Sequence, residues 1–564
     1  MSGNTRYRYS GPQTGDVGAS LAELARMAER QSASAVTTVA SAPPPYSGPR
    51  TGDMLAAPGA RTAAAATRTE RGWLPAVPAR PEPSFTLYAE PGKRGTLPHR
   101  LARPLPHRRP AGAKPEPVRD WSIGFITGHR ADVVLYMTIC ILALYRLQSF
   151  LWHPGAPVHG TVAQAWSWTS LLWLNALLPG ILGMAGLIAY RHPDSLDQVS
   201  PIPRLVCWRI VSRGTNTGAL MDTIYQCRMA MMCAPLFPYV IEVVTDKANP
   251  GLPPPAKDLA YITVPPLYQT PNRSQFKARA LQYALETSPL GDQAWLVHLD
   301  EETHPTPSAV KGIARMIRDE EQTGRLRIGQ GAILYHRNWK EHPFLTLADM
   351  VRTGDDFARF HFAHRAGVTI FGLHGSYIVV RNDVEKSVGF DFGPQGSITE
   401  DAFWALKCMQ AGIRCRWVEG YMAEQSTQGI VDFLKQRRRW FQGLVKVSLY
   451  APVKLRWRLG VGLNTLLWAL APFTLLYTVV HFFYGGPTMP WIQGMANASF
   501  AAFATLYLVG LKANLNERGI RNPLTRLGWT LLQAALLPVF TVLEGAAVMM
   551  AIVRPGKGFH VVKK

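Results

Sequence analysis

Three consecutive carboxylates, Asp300, Glu301 and Glu302, follow the apolar run Ala294 to Leu299. A buried strand that ends in acids has a defined use, because open α/β sheets bind ligands beyond the carboxyl ends of their strands. Carboxylates placed there suit a divalent cation and a phosphorylated ligand. Two later motifs add other chemistry. In Ile398-Thr399-Glu400-Asp401 the spacing predicts a helix starting at Asp401 with Thr399 as N-cap, and the helix dipole favours an ionised carboxylate there. In Gln436-Arg437-Arg438-Arg439-Trp440, Gln436 and Trp440 are four apart and share one helical face. Arg439 offers a fork for phosphate oxygens and Trp440 an apolar plane for stacking. The apolar residues Phe433, Leu434, Phe441 and Leu444 make the same stretch amphipathic, so Arg437 and Arg438 are expected to meet lipid or to be structural. His298 and His304 flank the acid triplet, but their spacing lacks the i, i+4 pattern of zinc-binding helices, and zinc is set aside.

The elements that must position these motifs lie between about 203 and 450. Candidate strands are Leu205 to Val211, Tyr239 to Thr245, Ala294 to Leu299, Ile328 to Tyr335 and Tyr377 to Arg381, rich in β-branched and aromatic residues. Helical patterns fall at Ala219 to Met232, Gln275 to Leu285, Pro307 to Thr323 and Asp401 to Gln410. Such alternation predicts an α/β domain with a mostly parallel sheet under helices, a nucleotide-binding class of architecture.

Long apolar segments flank that domain. Val133 to Tyr145, extended to Trp152, and Trp166 to Tyr190 precede it; Leu463 to Phe483, Gly494 to Leu511 and Leu527 to Val553 follow it. Lys and Arg are absent from 153–165 and 484–493, while Arg119, Arg130, Arg191 and the 512–526 loop are basic. The positive-inside rule then places the α/β domain on the cytosolic side of an inner or plasma membrane. Pro538 and Glu544 interrupt the last segment, and a re-entrant path there would return the basic ending 554–564 to the cytosol.

Residues 1 to about 120 are rich in Ala, Pro and Arg and poor in large aliphatics, so a disordered basic tail is expected. The net charge of +22 is spread along this tail and the span flanks rather than gathered in a nucleic-acid motif, which argues against a nucleic-acid partner. Six cysteines without a Cys-x-x-Cys pair read as reduced thiols.

With the motifs in this order between membrane segments, the chain resembles the family-2 glycosyltransferases of the cellulose synthase superfamily. It is most similar to the egghead-type β-1,4-mannosyltransferases, on the strength of Glu242 to Lys247, His298 to Thr303, the Gln-x-x-Arg-Trp run and the ending Lys557 to Lys564. The resemblance covers roughly Arg204 onwards. It implies a GT-A domain inserted between transmembrane helices, a nucleotide-sugar donor such as GDP-mannose or UDP-glucose, Mg²⁺ or Mn²⁺, and inversion at the sugar carbon. It further implies that Asp246 contacts the nucleoside, that Lys277 meets the donor, that Asp300 and Glu302 hold the metal, and that Asp401, within Thr399-Glu400-Asp401, is the base. Arg439 would meet the departing diphosphate. Trp440, Gln436, His374 and Gly375 would border the acceptor, a glycan or a lipid-linked sugar. Processive synthesis and single mannose addition both remain open at this point.

Overall fold

The computed structural model describes residues 129–151, 167–190, 196–484 and 488–556. The basic tail expected over 1–120, the loop 153–165 and the ending Lys557 to Lys564 lie outside the described residues.

The centre of the α/β domain is an eight-stranded sheet of order β3-β2-β1-β4-β7-β6-β8-β5. Its strands are β1 (Val206–Ser212), β2 (Tyr239–Thr245), β3 (Leu259–Thr263), β4 (Trp295–Asp300), β5 (His304–Pro305), β6 (Ile328–Arg337), β7 (Ile378–Arg381) and β8 (Cys415–Gln425). The first half, β3-β2-β1-β4, is parallel throughout. The second half departs from the expected mostly parallel sheet: β7 runs antiparallel to both β4 and β6, and β5 runs antiparallel to β8. Apolar strands such as β1 and β4 are buried on both faces, as strands covered by helices on each side must be.

Helices α3 (Thr217–Cys233) and α5 (Pro307–Thr323) bury Leu220, Ile224 and Ile313 against Trp208 and Val297 on one face. Helices α4 (Phe276–Thr287) and α7 (Glu400–Gln410) bury Leu281 and Trp404 against Leu296 and Val380 on the other. Strand β8 escapes a periodicity reading because its pairing with β6 shifts register, and Gly420 inside it has φ +80°. A Cβ there would lie 2.2 Å from the Ser308 carbonyl oxygen, so only glycine allows β8 to pass the start of α5.

Before the sheet lie α1 (His129–Leu151) and α2 (Leu177–Ala189); after it come helix α8 (Ile430–Tyr450) and the long helices α9 (Leu455–Tyr484), α10 (Pro490–Glu517) and α11 (Pro523–Val553). Among the described residues four helical segments are long and apolar enough to cross a membrane: Ser167–Ala189, Leu455–Phe483, Pro490–Glu517 and Pro523–Val553. The expected first span is a shorter apolar stretch, Val133–Leu147. The re-entrant break is not observed, because α11 runs unbroken through Pro538 and Glu544.

Helix α6 (Pro343–Asp355) ties the two parts together. A Cβ on Gly354 would meet the Leu506 carbonyl oxygen at 2.0 Å, and one on Gly510 the Met350 carbonyl oxygen at 1.9 Å. The backbones of α6 and α10 therefore touch, which is possible only with glycine at both points.

Candidate active site

Strand β4 ends at Asp300, and the Thr303 amide donates to the Asp300 carbonyl at 3.1 Å, so the acid triplet turns instead of continuing extended. The turn separates the three carboxylates. Glu301 faces back toward α3, where the Ser212 hydroxyl and, at 3.4 Å, the Asn216 amide donate to it. Burial pushes the Glu301 carboxyl up, and the Ser212 bond partly opposes the shift. All three residues line the cavity, but the Glu301 carboxylate is engaged by the Ser212 and Asn216 bonds, and the Glu302 carbonyl is fixed by Arg337 at 2.7 Å.

Lys277, which could have been a solvated helix residue, lies at the centre of the site. It sits in the first turn of α4, and Phe276 before it has φ +51°, an unusual conformation for a bulky residue. Its ammonium group pairs with Asp300, donates to the Gly375 carbonyl at 2.8 Å and lies 3.6 Å from Glu400. Burial opposes this charge, but Asp300 and Glu400 outweigh burial and raise the lysine pKa. Gly375 makes the approach possible: a Cβ there would fall 3.0 Å from Lys277 Nζ and 3.3 Å from Asp401 Oδ2.

Helix α7 begins at Glu400, one residue before the expected start. Thr399 stands at the N-cap position but makes no side-chain cap bond; its hydroxyl is buried without a partner among the described residues. The threonine packs instead on α8, where a Cβ at Gly443 would meet Thr399 Cγ2 at 2.3 Å. This contact seats the Gln-x-x-Arg-Trp helix on the Thr-Glu-Asp motif. Burial and repulsion from Asp401 lift the Glu400 carboxyl to about 7, with Lys277 opposing. Burial also raises Asp401, whose Oδ1 accepts from the Ala402 amide at 2.7 Å. Arg439 closes the group from α8. Burial lowers its pKa, and Glu400, Asp300, Asp401 and Glu302 act against that fall.

Three other expected positions have defined partners. Asp246, just beyond β2, accepts from Arg279 at 2.7 Å and lines the cavity. His374 pairs with Asp356 at 2.5 Å, and that carboxylate overcomes the effect of burial to raise the imidazole pKa. Gln436 is buried and accepts from Arg437 at 3.0 Å. Trp440 is not a bare platform, since the guanidinium groups of Arg352 and Arg437 lie over its indole at 4.5 and 4.4 Å.

Arg437 does not meet lipid. It is buried between Asp349 at 2.5 Å and Glu544 of α11 at 2.7 Å, which explains how an acid persists within that apolar helix. His298 also lies outside the site: it pairs with Glu385 at 2.5 Å in a buried network with Arg209 and Glu242. Residues not singled out from the sequence include Arg279, Glu424 and Arg352. Glu424, buried at the end of β8, accepts from Thr303 and Ser376 at 2.8 and 2.7 Å and so buttresses the acid turn. Only the pairing of distant strands brings it there.

All the expected site residues line one cavity of about 1840 Å³. It extends from Asp246 and Lys277, past Asp401 and Trp440, to Leu467, Phe500, Phe503 and Leu537 among the apolar helices. Among the described residues no three His, Cys, Asp or Glu side chains form a metal cluster. Two cavity-facing carboxylates, Asp300 and Glu302, fit a Mg²⁺ or Mn²⁺ that takes its other ligands from water and substrate phosphates.

A model of the glycosyl transferase family group 2 matches residues 295–513. Beta-1,4-mannosyltransferase bre-3 of Caenorhabditis briggsae is 31% identical over 407 residues, 70% of this chain and 86% of that protein. The chain belongs to glycosyltransferase family 2. Beta-1,4-mannosyltransferase egh of Drosophila melanogaster is likewise 31% identical, over 403 residues and the same shares of the two chains. Among solved structures, the mannosyltransferase PcManGT of Pyrobaculum calidifontis in complex with GDP-Man and Mn2+ covers 70% of this chain and 98% of its own, at 14% identity and a TM-score of 0.39. The transferase carries a mixed sheet whose parallel half leads into the acid turn, together with helices long and apolar enough to cross a membrane.

Proposed function

We propose that this transferase is embedded in a membrane and transfers mannose with inversion from cytosolic GDP-mannose, forming a β-1,4 linkage on a sugar acceptor that enters from the helix bundle. The observation that carries the reading is the Lys277 ammonium, held between Asp300, the Gly375 carbonyl and Glu400 beside Asp401. A buried cation among acids at the floor of a cavity is placed to receive a diphosphate next to a carboxylate base.

In this scheme Arg279 fixes Asp246 toward the nucleoside, and Lys277 and Arg439 lie against the diphosphate. The acceptor hydroxyl attacks the anomeric carbon as Asp401 takes its proton. The new carbon–oxygen bond forms as the bond to the diphosphate oxygen breaks, and the departing nucleoside diphosphate carries the electron pair. A positioned base of this kind contributes roughly 10² to 10⁴ in rate. Asp300 and Glu302 would hold the divalent cation, which when bound supplies a Lewis acid for the leaving diphosphate. Gln436, Trp440, His374 and Gly375 border the acceptor. The mannosyl assignment follows the names of the relatives, both β-1,4-mannosyltransferases.

The apolar end of the cavity favours single addition to a lipid-linked acceptor, whose tail could lie among Leu467, Phe500 and Leu537. A processive synthase would use the same passage for its product, and product length separates the two. Membranes carrying the protein, offered GDP-mannose, UDP-glucose and UDP-N-acetylglucosamine in turn, should add one mannose from GDP-mannose in a chelator-sensitive reaction. Asp401→Asn should bind GDP-mannose and transfer nothing; full transfer by that variant refutes the assignment of the base.

A further inference from the structure

We infer that Arg352, on α6, is an acceptor-binding residue that grips the hydroxyl and ring oxygens of the incoming sugar beside Trp440. The inference rests on the reading above that this end of the cavity takes the acceptor. The Arg352 guanidinium is held between two aromatic rings, 4.5 Å from the centroid of Tyr335 and 4.5 Å from that of Trp440. Tyr335 is fully enclosed and Arg352 lines the cavity, so the stack fixes the guanidinium as part of the cavity wall. Among the described residues no hydrogen bond and no ion pair engages its N–H groups. The neighbouring arginines differ: Arg359 pairs with Asp355 and Asn464, and Arg437 with Asp349 and Glu544.

The charge of Arg352 is nevertheless balanced. Burial opposes it, but Asp349 is close enough to favour it, and the guanidinium pKa is raised. Asp349 and Glu544 together supply two negative charges for the two positive charges of Arg352 and Arg437. What Arg352 lacks is hydrogen-bond acceptors rather than a counter-ion. Arg352 is half-buried at the cavity wall, so its donors are open to a ligand that enters the cavity, and a ligand that bonds them replaces water there. Neutral hydroxyls and ring oxygens satisfy them without upsetting the charge balance, whereas an added phosphate would. A planar fork fixed in the cavity wall is suited to a pyranose, which offers several oxygens at its rim.

The test uses the full chain in detergent micelles, octyl β-glucoside and octyl β-mannoside as acceptor probes, and whichever of GDP-mannose and UDP-glucose the wild-type protein consumes. Arg352→Met, which keeps the length of the stem but no donors, should raise the acceptor KM by about tenfold or more with donor KM unchanged. Arg352→Lys, which keeps the charge near Asp349 but loses the fork, should fall between wild type and Arg352→Met. Full rescue by lysine, or a parallel rise in donor and acceptor KM, would mark a merely structural charge and overturn the assignment. Equal acceptor KM in all three proteins would do the same. Wild-type protein that binds the donor but transfers to neither glycoside would refute the acceptor reading itself, and this role with it.

Discussion

Arg437 should be the most costly residue to remove from the Gln-x-x-Arg-Trp motif, for a reason separate from catalysis. Its guanidinium joins three elements, bonding Asp349 of α6 and Glu544 of α11 from its own position on α8, and its Cζ lies over Trp440. Breaking a buried ion pair by removing one partner costs about 3–5 kcal/mol, because the other charge stays buried. In Arg437→Met two acids lose their partner. Asp349, with 2% of its side chain exposed, pays most of the penalty, while Glu544 keeps 22% exposure toward the cavity and recovers some hydration. The loss should therefore fall at the low end, about 3 kcal/mol. The double change Asp349→Asn, Arg437→Met removes the more buried acid, leaves Glu544 to balance Arg352, and should regain most of it. The assay is the fraction of detergent-solubilised protein that stays monodisperse after heating through a temperature series, since unfolding of such a chain is better followed as a rate than as an equilibrium. An Arg437→Met protein as heat-resistant as wild type, or a double variant no better than the single, would refute the reasoning.

Other consequences are equally specific. Burial raises Asp401 as well as Glu400, so, on the reading that Asp401 is the base and acts ionised, activity should fall on the acid side from a pH above the ordinary carboxylate range. Glu400→Gln removes the like charge and should shift that acid limb of the kcat/KM profile to lower pH; an unmoved limb would contradict the coupling. Lys277→Met withdraws the cation from Asp300 and Glu400, and should move the limb upward while raising the donor KM. In a metal titration, Glu302→Asp should keep the metal dependence and Glu302→Gln should weaken it; an unchanged titration in Glu302→Gln would remove that residue from the ligand set. Gly510→Ala places a methyl group 1.9 Å from the Met350 carbonyl oxygen, so it should force α6 and α10 apart and cost about 1–3 kcal/mol, read as lower heat resistance.

Several features of this protein are local and therefore legible in its sequence. The strands β1, β2 and β4 follow from continuous apolar runs, and the helices α5 and α7 from their periodicity and punctuation. The long apolar segments follow from composition, as does the order of the acid, Thr-Glu-Asp and Gln-x-x-Arg-Trp motifs. What depends on contacts distant along the chain was decided only by the tertiary structure. The turn after Asp300 parts Glu301 from its neighbours because Ser212 and Asn216, some 85–89 residues earlier, bond it. Lys277 becomes central because the Gly375 backbone arrives beside it from 98 residues away. Three adjacent arginines look alike in sequence, yet Arg437 is locked to Asp349 and Glu544 while Arg439 lies beside Glu400, Asp300 and Asp401. Charge and periodicity mark which residues can do chemistry or cross a membrane. Which acid meets which base depends on how helices and strands pack, and here on glycines at 354, 375, 443 and 510 that let backbones and side chains approach more closely than any Cβ allows. That is why the acid triplet was visible at once as a possible metal site, whereas the engagement of Glu301 by Ser212 and Asn216 was not.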